Sequence, residues 1–240
     1  MSNARIIEIF SSIQGEGLWV GKPQVFVRFH GCKLHCTYCD TPLTHHKIKE
    51  SRIEFPPYSK NFEKHPLEWG AEELSTQIAR FEIPSLALTG GEPLEQIDFI
   101  EPWLNQLNGK YEILLETSGV EVEALKKVIS KIDMVSLDIK LPSSSGERPL
   151  WETHEKFLAV AKERPHYAKV VFDEKMTEEE KQNLIKILQK NPGLIMIFQP
   201  VSPLQKRDMK SCLDIFSFFS NRFPKQARLL PQMHKFLAVL

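Results

Sequence analysis

The chain has 240 residues, of which 42% are hydrophobic and 26% are charged, a composition that excludes an intrinsically disordered protein. The 31 basic and 31 acidic residues leave a formal net charge of zero. That balance excludes a partner selected by overall charge, so we expect no direct contact with nucleic acid or with an anionic membrane surface. The length suits one domain of α/β-barrel size with a substantial core.

The first residues, MSNARIIEIF, lack the charged start, apolar run and small-residue cleavage site of a signal peptide. No apolar stretch approaches the roughly 20 residues that a membrane span requires. We therefore expect a cytoplasmic protein with no membrane contact. In that compartment the four cysteines would be reduced thiols and not a disulfide framework.

Short apolar segments alternate with helical patterns along the chain. Segments that are apolar almost throughout are typical of parallel strands buried on both faces. Between them, apolar residues recur every three or four positions, and Thr177 with Glu180 would form the capping box of one helix. Six such alternations predict an α/β fold, a partial (β/α)6 barrel of parallel strands. The predicted strands are 25–29, 86–88, 112–115, 134–137, 167–172 and 194–198.

Two segments interrupt the alternation. Residues 44–69 contain two adjacent prolines and several charges, and residues 141–151 contain Pro142, three serines and Gly146. Segments of this length are functional, disordered or variable surface insertions. We predict a single domain over residues 1–240 with a long insertion at about 44–69.

Small and polar residues follow the predicted strands. Parallel α/β sheets and barrels place their active sites at the carboxyl ends of the strands. The pattern therefore predicts an enzyme before any family is considered. These clusters are His30 and Gly31 with the cysteines after them, Thr89 to Pro93, Glu116 to Gly119, Asp138 with Lys140, and Gln199 to Ser202.

The cysteines give the sharpest signal. Cys32, Cys36 and Cys39 have the spacing C-x3-C-x2-C, and three thiolates in one short loop can surround a soft metal centre. Three ligands leave a fourth position open for a substrate, whereas a structural zinc site is closed by a fourth ligand. The alternative is thus a zinc site completed by a nearby histidine. The candidates for that ligand are His30, His35, His45 and His46.

This cysteine spacing after a first strand, with Tyr38 before the last cysteine, resembles the radical S-adenosylmethionine (radical SAM) superfamily. The resemblance implies a [4Fe–4S] cluster on Cys32, Cys36 and Cys39, and S-adenosylmethionine on the open iron, cleaved to a 5′-deoxyadenosyl radical. The segment from Gly90 to Pro93 resembles the second motif of the superfamily. The implied cofactor-binding residues are Tyr38, Cys39, Asp40, Gly91, Glu92, Asp138, Ile139, Lys140, Gln199, Pro200, Val201 and Ser202.

Further motifs are similar to the 7-carboxy-7-deazaguanine synthase family. They are Ser12-Ile13-Gln14-Gly15-Glu16-Gly17, Val27-Arg28-Phe29, Asp40-Thr41 and Pro231-Gln232-Met233-His234-Lys235. The resemblance implies a carbon–nitrogen lyase that contracts the ring of 6-carboxy-5,6,7,8-tetrahydropterin with loss of ammonia, in 7-deazapurine and queuosine synthesis. It also implies Mg²⁺ held partly by Thr41, an electron donor such as flavodoxin or ferredoxin, and a homodimer.

The substrate-binding residues that the resemblance implies have suitable chemistry. Arg28 offers a planar fork for a carboxylate, although an ordinary ion pair would also explain it. Thr89 could donate a hydrogen bond at the barrel mouth. Glu16 could accept hydrogen bonds from the ring. The segment Ile13, Gln14 and Gly15 could supply amide and backbone groups to the pterin edge, or Gln14 could be only a turn residue.

Two other functions compete with this interpretation. Asp138-Ile139-Lys140 looks more like the D-x-K of activases that install a glycyl radical on a partner protein. A zinc- or iron–sulfur-bound interaction module without catalysis is the second alternative. The N-terminal S-x-Q-G-E-G segment argues against the activase, and the polar strand ends argue against the module.

Overall fold

The computed structural model describes residues 2–239. Within them, eleven strands form one sheet. They are β1 (Ala4–Ile13), β2 (Pro23–Phe29), β3 (Glu50–Glu54), β4 (Phe62–Pro66), β5 (Glu68–Trp69), β6 (Ser85–Gly90), β7 (Glu112–Thr117), β8 (Met134–Ile139), β9 (His166–Phe172), β10 (Ile195–Pro200) and β11 (Ala227–Leu229).

The predicted helices lie between these strands. The capping box before the sixth helix is confirmed, since Thr177 Oγ1 accepts from the Glu180 amide while the Glu180 carboxylate accepts from the Thr177 amide. The helices are α1 (Ala71–Ala79), α2 (Ile97–Leu107), α3 (Val122–Val128), α4 (Pro142–Ser145), α5 (Trp151–Ala161), α6 (Glu178–Lys190), α7 (Met209–Arg222) and α8 (Met233–Leu237).

No helix in the described part of the chain is both long and apolar enough to cross a membrane.

The six predicted strands are confirmed as neighbours in one parallel array, in the order β2, β6, β7, β8, β9 and β10. Strand β11 adds a parallel edge beside β10. At the other side β1 pairs antiparallel with β2, and β3 and β4 follow it. The parallel strands thus form the predicted (β/α)6 unit, and the additional strands extend it at both sides.

Residues 44–69 are not one long loop. They contain β3 and β4, which form an antiparallel pair on the side of β1, and β5, which pairs with the start of β1. Ile53 and Trp69 are fully buried and belong to the main core. The segment therefore continues the sheet instead of lying on its surface.

The sheet has two apolar faces because side chains alternate along each strand. One face packs on the helices, where strand residues such as Val27 and Leu88 share a core with the helix residues Phe157 and Phe219. The other face turns inward and holds a smaller cluster with one residue from each of seven strands. That inner cluster is Phe10, Phe26, Ala87, Leu114, Met134, Tyr167 and Ile197.

The sheet curves into a partial barrel. Five strand steps separate β1 from β9, and a flat sheet with about 4.8 Å per step would hold them roughly 24 Å apart. Yet the segment that follows β1 reaches β9, where Glu16 Oε2 lies 2.5 Å from Lys169 Nζ. Gly17 packs against the Tyr167 ring so closely that an added Cβ would fall 1.9 Å from Tyr167 Oη. The predicted barrel type is thereby confirmed.

Candidate functional site

A cavity opens at the carboxyl ends of the parallel strands. It is lined by most of the residues that the sequence motifs indicated, although they are spread over nearly 190 positions of the chain. Thr41, Glu92 and Ile139 are the exceptions, because all three lie behind the cavity wall. The predicted residues at the wall are Ile13, Gln14, Gly15, Glu16, Arg28, Cys32, Cys36, Tyr38, Cys39, Asp40, Thr89, Gly91, Asp138, Lys140, Gln199, Pro200, Val201 and Ser202.

The wall is a polar layer above the apolar inner cluster. Two residues further along each strand, the inward position changes from an apolar to a polar side chain. Phe26 is followed by Arg28 and Tyr167 by Lys169. The same step leads from Ala87 to Thr89, from Leu114 to Glu116, from Met134 to Ser136 and Asp138, and from Ile197 to Gln199.

The three cysteines of the loop after β2 are half-buried free thiols. A turn from the Cys39 amide to the Cys36 carbonyl (3.0 Å) sets the second spacing. Between them, Thr37 ties the loop to α4 through hydrogen bonds to the carbonyl oxygens of Ser145 (2.8 Å) and Ser144 (2.7 Å). Burial raises the pKa of Cys32 to about 12 and that of Cys36 to about 11, so both are protonated thiols in this structure. A bound metal centre would replace these protons and hold the cysteines as thiolates.

Gly90 and Gly91 join this loop to the end of β6. The amide of Gly91 donates to the Phe29 carbonyl (3.0 Å), and that of Glu92 donates to the Gly31 carbonyl (2.9 Å). A Cβ on Gly91 would lie 1.9 Å from the Gly31 oxygen, and Gly90 has a positive φ of 114°. These glycines therefore allow the end of β6 to contact the backbone of the cysteine loop. This close packing is a second reason for glycine in the motif, in addition to the predicted approach of the cofactor.

Glu92 is fully buried, and both of its carboxylate oxygens accept hydrogen bonds. Thr117 Oγ1 donates at 2.8 Å, while Ser118 donates through its amide (2.8 Å) and its hydroxyl (2.5 Å). Burial raises the pKa of Glu92 in spite of these donors. Its carboxylate thus holds the ends of β6 and β7 together, and a direct contact with the cofactor remains a prediction.

The donor set fits the cofactors of the superfamily. Three thiols of one loop line the cavity, and three buried polar atoms on its wall, Tyr38 Oη, Asp138 Oδ1 and Gln199 Oε1, have no partner among the described residues. Within residues 2–239, no three His, Cys, Asp or Glu side chains lie close enough to hold a single metal ion.

Asp138 and Lys140 form a buried ion pair, with Oδ2 and Nζ 2.9 Å apart. Although burial acts against the charges, Lys140 holds the pKa of Asp138 below its usual value and Asp138 holds that of Lys140 well above. Lys140 Nζ also lies 5.3 Å from the centre of the Tyr38 ring. The pair is therefore charged and fixed at the cysteine side of the cavity.

The N-terminal segment forms the opposite wall. Gln14 Nε2 donates to Gln24 Oε1 and to Glu116 Oε1, both at 3.0 Å, and Gln14 Oε1 accepts from the Glu16 amide. Glu16 bonds Lys169 with one oxygen and Gln232 Nε2 (2.7 Å) with the other. Gln14 is thus more than a turn residue, because its side chain links Glu16 and Glu116 in the wall with the buried Gln24.

Arg28 reaches the cavity but already has partners. Its Nε donates to Glu8 Oε1 (2.7 Å) and its Nη1 to Thr41 Oγ1 (2.8 Å). Thr41 in turn donates to Asp40 Oδ1 at 3.3 Å. Arg28 therefore forms the ion pair that the alternative explanation expects. Within residues 2–239 its second amino group, Nη2, shows no hydrogen bond, so that group is available to a ligand.

Several wall residues had not been singled out as site residues. Glu116 and Gln232 lie in sequence motifs that imply no role for them. Lys169 lies inside a segment whose apolar residues predict a buried strand. Side chains alternate along β9, so Lys169 points to the same face as Tyr167, two residues before it. This alternation is the sequence feature that identifies Lys169 as a residue of the cavity.

The fold and the cysteine loop define the class of protein, and the family comparison agrees: the family model described as Radical SAM superfamily matches residues 26–173. A 7-carboxy-7-deazaguanine synthase of Geobacter sulfurreducens is 32% identical over 99% of this chain and 98% of its own length. One of Archaeoglobus fulgidus is 32% identical over 98% and 99%. The chain therefore belongs to the radical SAM superfamily and, within it, to the 7-carboxy-7-deazaguanine synthase family.

A solved structure shows the same fold. The crystal structure of QueE from Escherichia coli superposes with a TM-score of 0.61 over 97% of this chain and 95% of that one, at 23% sequence identity.

Proposed function

We propose that the chain is a radical SAM lyase that converts 6-carboxy-5,6,7,8-tetrahydropterin to 7-carboxy-7-deazaguanine with loss of ammonia, in 7-deazapurine and queuosine synthesis. The observation that carries the proposal is the meeting of two walls in one cavity. The cluster cysteines and the Asp138–Lys140 pair lie on one side, and the Gln14–Glu16 segment lies on the other. Near-full-length relatives with this activity in their names support it.

Cys32, Cys36 and Cys39 would hold the [4Fe–4S] cluster. When bound, the cluster and S-adenosylmethionine supply a 5′-deoxyadenosyl radical that removes a hydrogen atom from the substrate. Asp138 Oδ1 and Gln199 Oε1 are buried acceptors without a partner among the described residues, and they suit the hydroxyl and amino groups of the cofactor. The remaining cofactor contacts would come from other residues that line the cavity, namely Tyr38, Asp40, Gly91, Lys140, Pro200, Val201 and Ser202. Glu92 and Ile139 lie behind the wall, so their part would be to hold these neighbours in place.

The opposite wall would bind the pterin. Arg28 would hold the carboxylate through its free amino group, and Thr89 would donate at the mouth of the cavity. The ionised Glu16 would accept from the ring N–H groups, while Ile13, Gln14 and Gly15 frame the ring edge. A site of such buried polar groups rejects analogues that leave them unpaired.

We also propose Mg²⁺ beside Thr41, where the neighbouring Asp40 carboxylate would supply a second hard oxygen ligand. Arg28 Nη1 now donates to Thr41 Oγ1, so the ion requires that this guanidinium turn toward the substrate carboxylate. The proposal further includes an electron donor such as flavodoxin or ferredoxin, a homodimer and a cytoplasmic location. Light scattering of the purified protein tests the dimer.

The decisive experiment is an anaerobic assay of the reconstituted protein. It contains S-adenosylmethionine, reductant, Mg²⁺ and 6-carboxy-5,6,7,8-tetrahydropterin, and products are followed by mass spectrometry. We expect 7-carboxy-7-deazaguanine and ammonia in equal amounts, and less product without Mg²⁺. Formation of 5′-deoxyadenosine alone would leave the superfamily in place and refute the substrate.

A further inference from the structure

Lys169 lies at the point where the two walls of the cavity meet. It is the next inward residue after Tyr167 on β9, and its side chain is only 14% exposed. Its Nζ lies 2.5 Å from Glu16 Oε2 and 3.5 Å from Asp138 Oδ2. Asp138 is also its register partner on β8. One ammonium group therefore bridges the substrate side and the cofactor side.

The two carboxylates depend on Lys169 to different degrees. Asp138 has a second cation, since Lys140 Nζ lies 2.9 Å from the same oxygen. Within residues 2–239, Glu16 forms an ion pair with Lys169 and with no second cation. Burial alone would raise the pKa of Glu16, and Lys169 is the main group that holds it below its usual value. Loss of Lys169 therefore affects Glu16 most.

Lys169 also fixes where the Glu16 segment lies. Gly17 packs on the Tyr167 ring, so the segment is seated on β9 at two successive inward positions. The second carboxylate oxygen of Glu16 is held by Gln232 from the C-terminal part of the chain. Of these contacts, only the one to Lys169 is an ion pair, and a charge-assisted hydrogen bond constrains an acceptor more strongly than a neutral one.

We propose that Lys169 is a positioning residue for substrate recognition: it holds Glu16 as a charged acceptor aimed at the N–H groups of the pterin ring. This inference rests on the proposed function and deepens it. A neutral Glu16 would present an O–H donor to a ring edge made of donors, and the site would then bind the ring poorly. In this role Lys169 acts through Glu16.

The test is a double-mutant cycle on the reconstituted enzyme. Affinity is measured under anaerobic conditions by fluorescence titration with 6-carboxypterin, an oxidised analogue, in the presence of S-adenosylmethionine. The variants are Lys169→Met, Glu16→Gln and the double variant. Lys169→Arg keeps the charge. Lys190→Met removes the exposed lysine paired with Glu155 and serves as a matched control.

We expect Lys169→Met to weaken 6-carboxypterin binding roughly 10- to 100-fold, the value of one charge-assisted hydrogen bond. In the Glu16→Gln background the same change has no further effect. Lys169→Arg restores most of the affinity, and Lys190→Met binds as wild type. In turnover, Lys169→Met raises KM for the tetrahydropterin more than it lowers kcat. Additive losses in the cycle would overturn the proposal, because Lys169 would then act independently of Glu16.

Two further comparisons keep the test decisive. If Lys169→Met does not fold, Glu16→Gln is compared with the double variant, in which the removed charges cancel. Equal binding by these two supports the proposal, and a further tenfold loss in the double variant overturns it. The wild-type product assay separates the two levels of inference. Absence of 7-carboxy-7-deazaguanine there refutes the proposed function, whereas its presence together with an additive cycle refutes only the role of Lys169.

Discussion

His154 should make the folded chain sensitive to mild acid. The residue is fully buried on α5, and its Nε2 lies 3.1 Å from the Ser118 carbonyl oxygen, to which it donates in the neutral tautomer. Its Nδ1 has no partner within the described residues. A second proton would create a buried donor without an acceptor, and burial accordingly lowers the pKa of His154 to about 4.

The sign and size of the effect follow from the two pKa values. In the unfolded chain the ordinary value is 6.5, so below that pH the unfolded state takes up a proton that the folded state refuses. Stability is therefore lost as the pH falls from about 6.5 to about 4. Between pH 7.5 and pH 5.0 the loss from His154 alone amounts to about 2 kcal/mol.

The assay compares wild type with His154→Gln, whose amide can still donate to the Ser118 oxygen. Urea unfolding of the reconstituted proteins is followed anaerobically at both pH values, by fluorescence and circular dichroism, whose coincidence checks two-state behaviour. Other groups also change stability over this pH range; Glu92, with a raised pKa, stabilises the folded state as the pH falls. The test is therefore the difference between wild type and variant in the free energy of unfolding lost from pH 7.5 to pH 5.0. We expect wild type to lose about 2 kcal/mol more than the variant. Equal losses would refute the buried neutral state of His154.

Three further predictions concern the site itself. Cys36→Ala should abolish the cluster absorbance after reconstitution, whereas Cys212→Ala on α7 should keep it; an intact cluster in the first variant would refute the ligand set. Gly91→Ala places a Cβ 1.9 Å from a backbone oxygen and should destabilise the protein by about 2 kcal/mol or more in thermal unfolding. Gly193→Ala, with open space around it, is the control, and equal melting temperatures would contradict the close packing. Arg28→Ala should weaken pterin binding far more than it slows cofactor cleavage, and equal losses would mean that Arg28 does not hold the pterin carboxylate.

The parallel part of the fold could be predicted because its sequence signal is strong. The six strands are short apolar runs, and each one in the array is buried on both faces. Their carboxyl ends meet at one edge, so polar residues that follow the strands had to come together. This reasoning predicts, from the sequence alone, that Thr89, Asp138 and Gln199 lie close together. In the structure all three line the same cavity.

The strands outside this array were missed for a physical reason. β1 buries Glu8, Ser11 and Ser12, which a hydrophobicity pattern assigns to the surface. Glu8 is buried because Arg28 and Arg52 pair with it, and Ser11 because it donates to Glu54. Such compensation depends on partners far along the chain, which one sequence does not reveal.

Glu16 and Glu116 show how the fold gives two similar side chains different states. Both lie in the cavity wall, and both contact Gln14. The backbone N–H of Glu16 donates to Gln14 Oε1, and Gln14 Nε2 donates to Glu116 Oε1. Lys169 holds the pKa of Glu16 below its usual value in spite of burial, whereas burial and then the Glu16 charge raise that of Glu116. Glu116 therefore keeps its proton to a higher pH than Glu16 does. Opposite pKa shifts of two acids in one site give one group the role of donor and the other the role of acceptor. The wall can therefore offer a substrate a donor in Glu116 and an acceptor in Glu16.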